Sequence, residues 1–202
     1  MPPAAAPWVV LKFGGTSVAT VERWGTIASL AERRRAEGLR PLVVCSALSG
    51  ISNRLEEMLA LAVEDRHETV LAEIRERHLE LGAALGLEAE DLLGGDLEEL
   101  SRLALAASLL REAGPRLKAR VLAFGELMST RLGAAFVSSR GLPTAWLDAR
   151  SCLLAREDPR IGARAYLSAT CEHDLDEDLL ERLAGEPAAV VLTQGFIARN
   201  AA

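Results

Sequence analysis

Apolar and polar positions along the chain follow two rhythms. Near the start, Trp8-Val-Val-Leu-Lys-Phe13 is a short apolar run stopped by Gly14-Gly15, which predicts a buried strand. Thr16 and Ser17 are suited to cap a following helix whose inward side takes Val21, Trp24, Ile27, Ala28 and Ala31. Gly38 ends that helix, and Pro41-Leu-Val-Val-Cys-Ser46 supplies a second buried strand. Strand, long helix and strand in this order make a right-handed crossover and a parallel pair.

From about Ser52 to Arg140 the spacing changes to steps of three and four. Leu55, Met58, Leu59 and Ala62 mark one helix; Leu71, Ile74, His78, Leu81 and Leu85 mark the next. Leu97, Leu100, Ala104, Ala107 and Leu110 mark a third, placed after a break at Gly94-Gly95, and a fourth runs from Pro115 to Ser139. Strand character returns at Pro143-Thr-Ala-Trp-Leu-Asp148 and at Ala188-Ala-Val-Val-Leu-Thr193, with a helix over 176–184 between them and an ambiguous stretch over 164–170. These elements predict an α/β protein: a three-layer αβα sandwich on a mainly parallel sheet, with a helical insertion at about 53–140 and a disordered start at 1–7. In such sheets ligands gather beyond the carboxyl ends of the strands. The segments to inspect are therefore 12–17, 46–53, 148–150 and 193–197.

Composition narrows the function classes. A net charge of −6 argues against nucleic acid as a partner, because phosphate backbones are held by clustered Lys and Arg. The one basic run, Arg33-Arg34-Arg35, is offset by Glu32 and Glu37 and reads as a solvated helix end. Three cysteines, Cys45, Cys152 and Cys171, form no close pair, so a reducing cytoplasm is the simplest setting. His67, His78 and His173 are scattered, without metal-ligand spacing, and are expected at the surface. The first residues lack a signal-peptide pattern, and no apolar stretch is expected to span a membrane.

Three features could carry chemistry. In Lys12-Phe-Gly-Gly-Thr-Ser17, adjacent glycines between a strand and a helix let the backbone approach a ligand, and exposed amides with a nearby lysine suit phosphate oxygens. The same hexapeptide is equally a tight turn with a surface lysine. Ser46-Ala-Leu-Ser-Gly-Ile-Ser-Asn53 concentrates hydroxyls and an amide that can bind a small polar substrate, or that simply cap the next helix through Ser52 or Asn53. Glu126 shares a small, uncharged helix face with Ala119, Leu122, Ala123, Thr130 and Gly133. A carboxylate there needs a partner, either a substrate ammonium group or an internal arginine such as Arg131 or Arg150.

Together these segments resemble the aspartate kinase family in order and spacing. The matching pieces are Lys12-Phe-Gly-Gly-Thr-Ser-Val18, Val44-Cys-Ser-Ala-Leu-Ser-Gly50 with Ile51-Ser-Asn53, Gly125-Glu-Leu-Met-Ser129, Leu147-Asp148 and Gly195-Phe-Ile197. A fainter likeness over 8–50 points to the subgroup fused to a diaminopimelate decarboxylase. The resemblance implies the amino-acid-kinase fold and phosphorylation of the side-chain carboxylate of L-aspartate by ATP with Mg2+, on the route to lysine. It implies that Lys12 acts in catalysis, that ATP is held along Lys12, Phe13, Gly14, Gly15, Thr16 and Ser17, and that aspartate meets Ser46, Ser52 and Glu126.

The sequence departs from the family at its carboxyl end. The family continues after Gly-Phe-Ile to a Gly-Arg-Gly-Gly-Ser-Asp segment, whereas this sequence stops at Arg199-Asn-Ala-Ala202. The expectation is that residues 1–202 are the first part of such a domain and are inactive alone. An incomplete sheet exposes an edge that favours a homo-oligomer. Two other readings are a kinase of the same fold acting on glutamate or acetylglutamate, and a binding or assembly module without catalysis.

Overall fold

The computed structural model describes residues 6–156, 166–167, 170–171 and 174–200. Most of the expected disordered start and of the ambiguous 164–170 stretch lies outside the described residues, as does His173. The first described elements are β1 (Trp8–Phe13), α1 (Val21–Ala36) and β2 (Arg40–Cys45), and the two strands pair in parallel from Trp8 with Arg40 to Phe13 with Cys45. Strands β3 (Thr144–Trp146) and β4 (Val190–Gln194) complete a parallel sheet in the order β1-β2-β4-β3. The last strand in sequence is thus inserted at the centre, and every residue of β4 is buried.

Thr16 and Ser17 do not cap α1. Gly15–Val18 forms a 3-10 turn, closed by the Ser17 amide on the Gly14 carbonyl (2.9 Å), and Thr20 is the cap, its Oγ1 accepting from the Arg23 amide. The turn takes up residues that a direct strand-to-helix junction would leave for the helix. Trp24 fastens it, donating from Nε1 to the Val18 carbonyl at 2.9 Å. The Trp24 ring needs Gly133 opposite, since a Cβ there would lie 1.9 Å from it.

The insertion is α2 (Ile51–Val63), α3 (Glu68–Ala84), α4 (Ala89–Leu110) and α5 (Pro115–Ser139). Gly94 and Gly95 lie inside α4 rather than before it. Each glycine costs about 1 kcal/mol of helix propensity, but buried Leu93, Leu97 and Leu100 hold the helix through the break. Helix α5 serves two layers: it packs on α2 and α4 and also on β3 and β4. By length and composition α5 could cross a membrane, contrary to expectation, but 78% of its apolar window is buried inside the protein. His67 and His78, expected outside, are buried, at 7% and 0% exposure. His78 falls on the inward stripe with Ile74 and Leu81, where the helical period places it.

Residues paired across a parallel sheet share a face. Val43, Cys45, Val190 and Leu192 face the core formed with α1 and α5. On the opposite face Val10, register partner of Leu42, is 62% exposed. Helix α6 (Glu177–Gly185) begins at Asp176, whose Oδ1 accepts from the Leu179 amide at 2.8 Å.

Candidate active site

The segments that follow all four strands line one cavity of about 920 Å³, closed on another side by α5. Two close approaches build it. The Phe13 carbonyl accepts from the Ser46 amide at 3.1 Å, and the Gly15 carbonyl accepts from the Ser49 amide at 3.2 Å. A Cβ on Gly15 would lie 2.7 Å from the Ala47 carbonyl oxygen, so only glycine lets the two turns meet. Gly14, by contrast, has nothing within 4 Å of its Cβ position and presents open backbone.

Ser46 and Ser52 line the cavity. Neither Ser52 nor Asn53 caps α2. Gly50, at φ +84° in the left-handed region where glycine is at ease, precedes the helix without a side-chain cap. Ser52 and Asn53 thereby stay exposed in the first helical turn, facing the cavity. The Ser46 carbonyl is tied to α5 through Ser129 Oγ at 2.7 Å.

Glu126 lines the cavity from α5 and is 5% exposed. The two arginines expected as its partners are engaged elsewhere. Arg131 goes to Asp96 (2.7 Å) and Arg150 to Asp148 (2.7 Å). Instead Glu126 Oε2 accepts from the backbone amides of Gly195 (3.1 Å) and Phe196 (2.9 Å), while Oε1 receives no hydrogen bond from the described residues. Burial pushes its pKa above the ordinary value, partly opposed by the two amides and by the charge of Lys12. A carboxylate that lines a cavity with only one of its oxygens fixed is equipped to receive a cation.

Lys12 is exposed at the end of the edge strand β1, its Nζ 4.6 Å from the centre of the Phe196 ring. Phe13 packs against the core, and Thr16 and Ser17 belong to the 3-10 turn. The structure thus brings Gly15, Ser46, Ser52 and Glu126 around one cavity, with Lys12, Phe13, Gly14, Thr16 and Ser17 beside it rather than in its lining. Below the cavity, Thr130 Oγ1 accepts from Trp146 Nε1 (2.9 Å) and Gln194 Nε2 (2.8 Å), locking α5 to β3 and β4.

Sequence reasoning missed Arg116 and Arg120, which line the cavity from the same stripe of α5 as Ala119, Ala123 and Glu126. Extending that three-and-four spacing one turn toward the helix start would have found them. Among the described residues no group of three His, Cys, Asp or Glu side chains is placed to hold a metal ion. The lining carboxylates are Glu56, paired with Lys118, and Glu126, tied to the two amides, so the described residues offer no protein cage for Mg2+.

The sequence profile of the amino acid kinase family matches residues 7–202. The chain is 32% identical to the bifunctional aspartokinase/homoserine dehydrogenase 2 of Escherichia coli, over 94% of this chain and 22% of that protein. It is 29% identical to the aspartokinase of Chlamydia trachomatis, over 94% of this chain and 40% of that protein. Its fold superposes on the crystal structure of E. coli aspartokinase III in complex with aspartate and ADP with a TM-score of 0.73 at 30% identity, covering 96% of this chain and 42% of that one. The chain thus spans well under half the length of each of these relatives. On this match the chain belongs to the amino acid kinase family, and the relatives it resembles within that family are aspartokinases.

Proposed function

We propose that this chain forms the substrate-facing part of an aspartate kinase, which transfers the γ-phosphoryl group of ATP to the side-chain carboxylate of L-aspartate, giving 4-phospho-L-aspartate and ADP. The observation that carries this reading is Glu126: buried, held on Oε2 by two backbone amides, and lining the cavity beyond the strand ends with no hydrogen bond to Oε1 from the described residues. The aspartate ammonium group pairs with Oε1, while the hydroxyls of Ser46 and Ser52 meet the rest of the substrate. The likeness to the aspartokinase solved with aspartate and ADP supports both ligands.

The attacking oxygen belongs to a carboxylate already ionised at neutral pH, with an ordinary pKa near 3.9, so no general base is needed. The new bond joins that oxygen to phosphorus, and the bond to the β–γ bridging oxygen breaks. Charge spreads over the transferring phosphoryl oxygens, so positioning and neutralisation do the catalytic work. Lys12 supplies positive charge, and the open backbone at Gly14 and Gly15 admits phosphate oxygens. Magnesium, which the described residues do not cage, would be carried by the nucleotide's phosphates and would supply further charge neutralisation there. A cytoplasmic, homo-oligomeric enzyme serving lysine formation is part of the same reading.

The test is aspartate-dependent ADP release by the whole polypeptide, with L-aspartate and Mg-ATP binding measured on residues 1–202. Loss of aspartate dependence in Glu126→Ala and Lys12→Ala supports the reading. Equal rates with glutamate would favour a kinase of the same fold with another acceptor. If neither ATP nor aspartate binds, the chain is a scaffold without this chemistry.

A further inference from the structure

Phe196 is the most exposed aromatic ring at the site, at 74%, while its neighbour Ile197 packs against the core. Burial therefore does not explain an aromatic side chain here. Its backbone is nevertheless fixed, because the amides of Gly195 and Phe196 both donate to the buried Glu126 carboxylate. A Cβ on Gly195 would lie 3.3 Å from Val44 Cγ1, so the turn also sits close against β2. The ring that projects from this fixed turn lies under the Lys12 ammonium, 4.6 Å from Nζ.

Lys12 needs such a support. It stands exposed at the end of an edge strand, on a flexible four-carbon stem, and no hydrogen bond or ion pair to its ammonium comes from the described residues. Its position bears on the site because its charge is close enough to act on Glu126. The chain also uses lysine sparingly: of 23 Lys and Arg residues only Lys12 and Lys118 are lysine, and Lys118 is paired with Glu56.

We propose that Phe196 is a positioning residue for Lys12. Its ring holds the ammonium at the edge of the cavity, so that the turn after β4 places the cation that the end of β1 carries. Glu126 and Lys12 are then linked through one segment: the carboxylate fixes the backbone of Phe196, and the ring of Phe196 fixes the lysine. The contact itself stands on geometry alone; its consequence for nucleotide binding rests on the kinase reading.

Two lysines make the test direct. Residues 1–202 labelled with 13C at the lysine ε-carbon give two methylene signals, and Lys118 serves as the internal reference. The Lys12 signal is expected upfield under the ring current, to lose that displacement in Phe196→Leu and to keep it in Phe196→Tyr. Mg-ATP affinity is expected to fall two- to five-fold in Phe196→Leu, the range for an exposed cation–π contact, and to be restored in Phe196→Tyr. An undisplaced Lys12 signal in the unmodified chain, or equal Mg-ATP affinity of that chain and Phe196→Leu, overturns the proposal. If residues 1–202 bind no Mg-ATP, affinity is read on the whole polypeptide, where binding of neither ATP nor aspartate defeats the kinase reading, and the Lys12 signals in the three proteins still decide whether Phe196 positions the lysine.

Discussion

Glu126 Oε2 lies 2.9 Å from the backbone nitrogen of Phe196, and this contact joins the middle of α5 to the turn after the central strand β4. Removing the carboxylate leaves two amides without their acceptor and the cavity without its free anionic oxygen. Glu126→Ala is expected to lower the unfolding free energy by about 1–3 kcal/mol, the range for a lost charge-assisted hydrogen bond, and to weaken L-aspartate binding at least about ten-fold, each 1.4 kcal/mol being a factor of ten. Urea titration and calorimetry with L-aspartate measure the two effects separately.

Acidification reaches the same contact. Because burial raises the Glu126 pKa above its ordinary 4.5, the residue takes up a proton at a higher pH than a surface glutamate does. Aspartate affinity is therefore expected to begin falling above pH 4.5 as the medium is made acidic. Calorimetry across pH 4–8 reads this directly. An affinity that holds level down to 4.5 would mean that Glu126 does not receive the ammonium group.

His78 sets a separate acid limit on the fold. Fully buried, with Nδ1 on the Ile74 carbonyl (2.7 Å) and Nε2 without a hydrogen-bond partner among the described residues, its pKa is pushed by burial from 6.5 down to about 4. The unfolded chain binds the proton more readily, so the contribution to stability is whole above pH 6.5 and is lost as pH falls toward 4. That span corresponds to about 3 kcal/mol. His78→Leu is expected to flatten this limb of the stability profile, measured by urea unfolding at pH 7, 6, 5 and 4.

The two glycines of the first turn are expected to behave oppositely. Gly15→Ala drives a Cβ to 2.7 Å from the Ala47 carbonyl and should cost about 1–3 kcal/mol, the usual range for overpacking. Gly14 has φ −82° and open space at its Cβ, so Gly14→Ala should change stability by less than about 0.5 kcal/mol, as surface changes do, while weakening Mg-ATP binding. Thermal unfolding and nucleotide titration of both variants check the contrast.

Thr130→Val tests the polar hub below the cavity. The buried Gln194 Nε2 and the half-buried Trp146 Nε1 both lose their acceptor. With each orphaned donor costing about 1–3 kcal/mol, the variant should be among the least stable single substitutions in α5. Its unfolding midpoint in urea is the measurement.

The strands and the bundle were legible because their signals are periodic. Apolar runs ending at Gly14 and Ser46 gave β1 and β2, and the steps of three and four gave α2 to α5. What escaped depends on contacts between distant segments. The 3-10 turn that displaces the cap to Thr20 leaves no pattern in the sequence, and Gly94-Gly95 read as a break because helix propensity there is overruled by the packing of Leu93 and Leu97. Composition at the site showed that Glu126 needed a partner, but an arginine and a substrate were the candidates weighed. Backbone amides, which every residue carries, give no sequence signal, so the Gly195 and Phe196 donors could not be read there. Their discovery assigns one oxygen and leaves the other for a ligand.

The contact between Gly15 and the Ala47–Ser49 segment has a practical consequence for protein engineering. Because one turn is seated on the other's backbone, neither can be exchanged alone for the matching loop of a relative without opening a gap or forcing a collision. A graft intended to change the acceptor or the nucleotide would have to carry residues 12–18 and 44–53 together, as a single cassette.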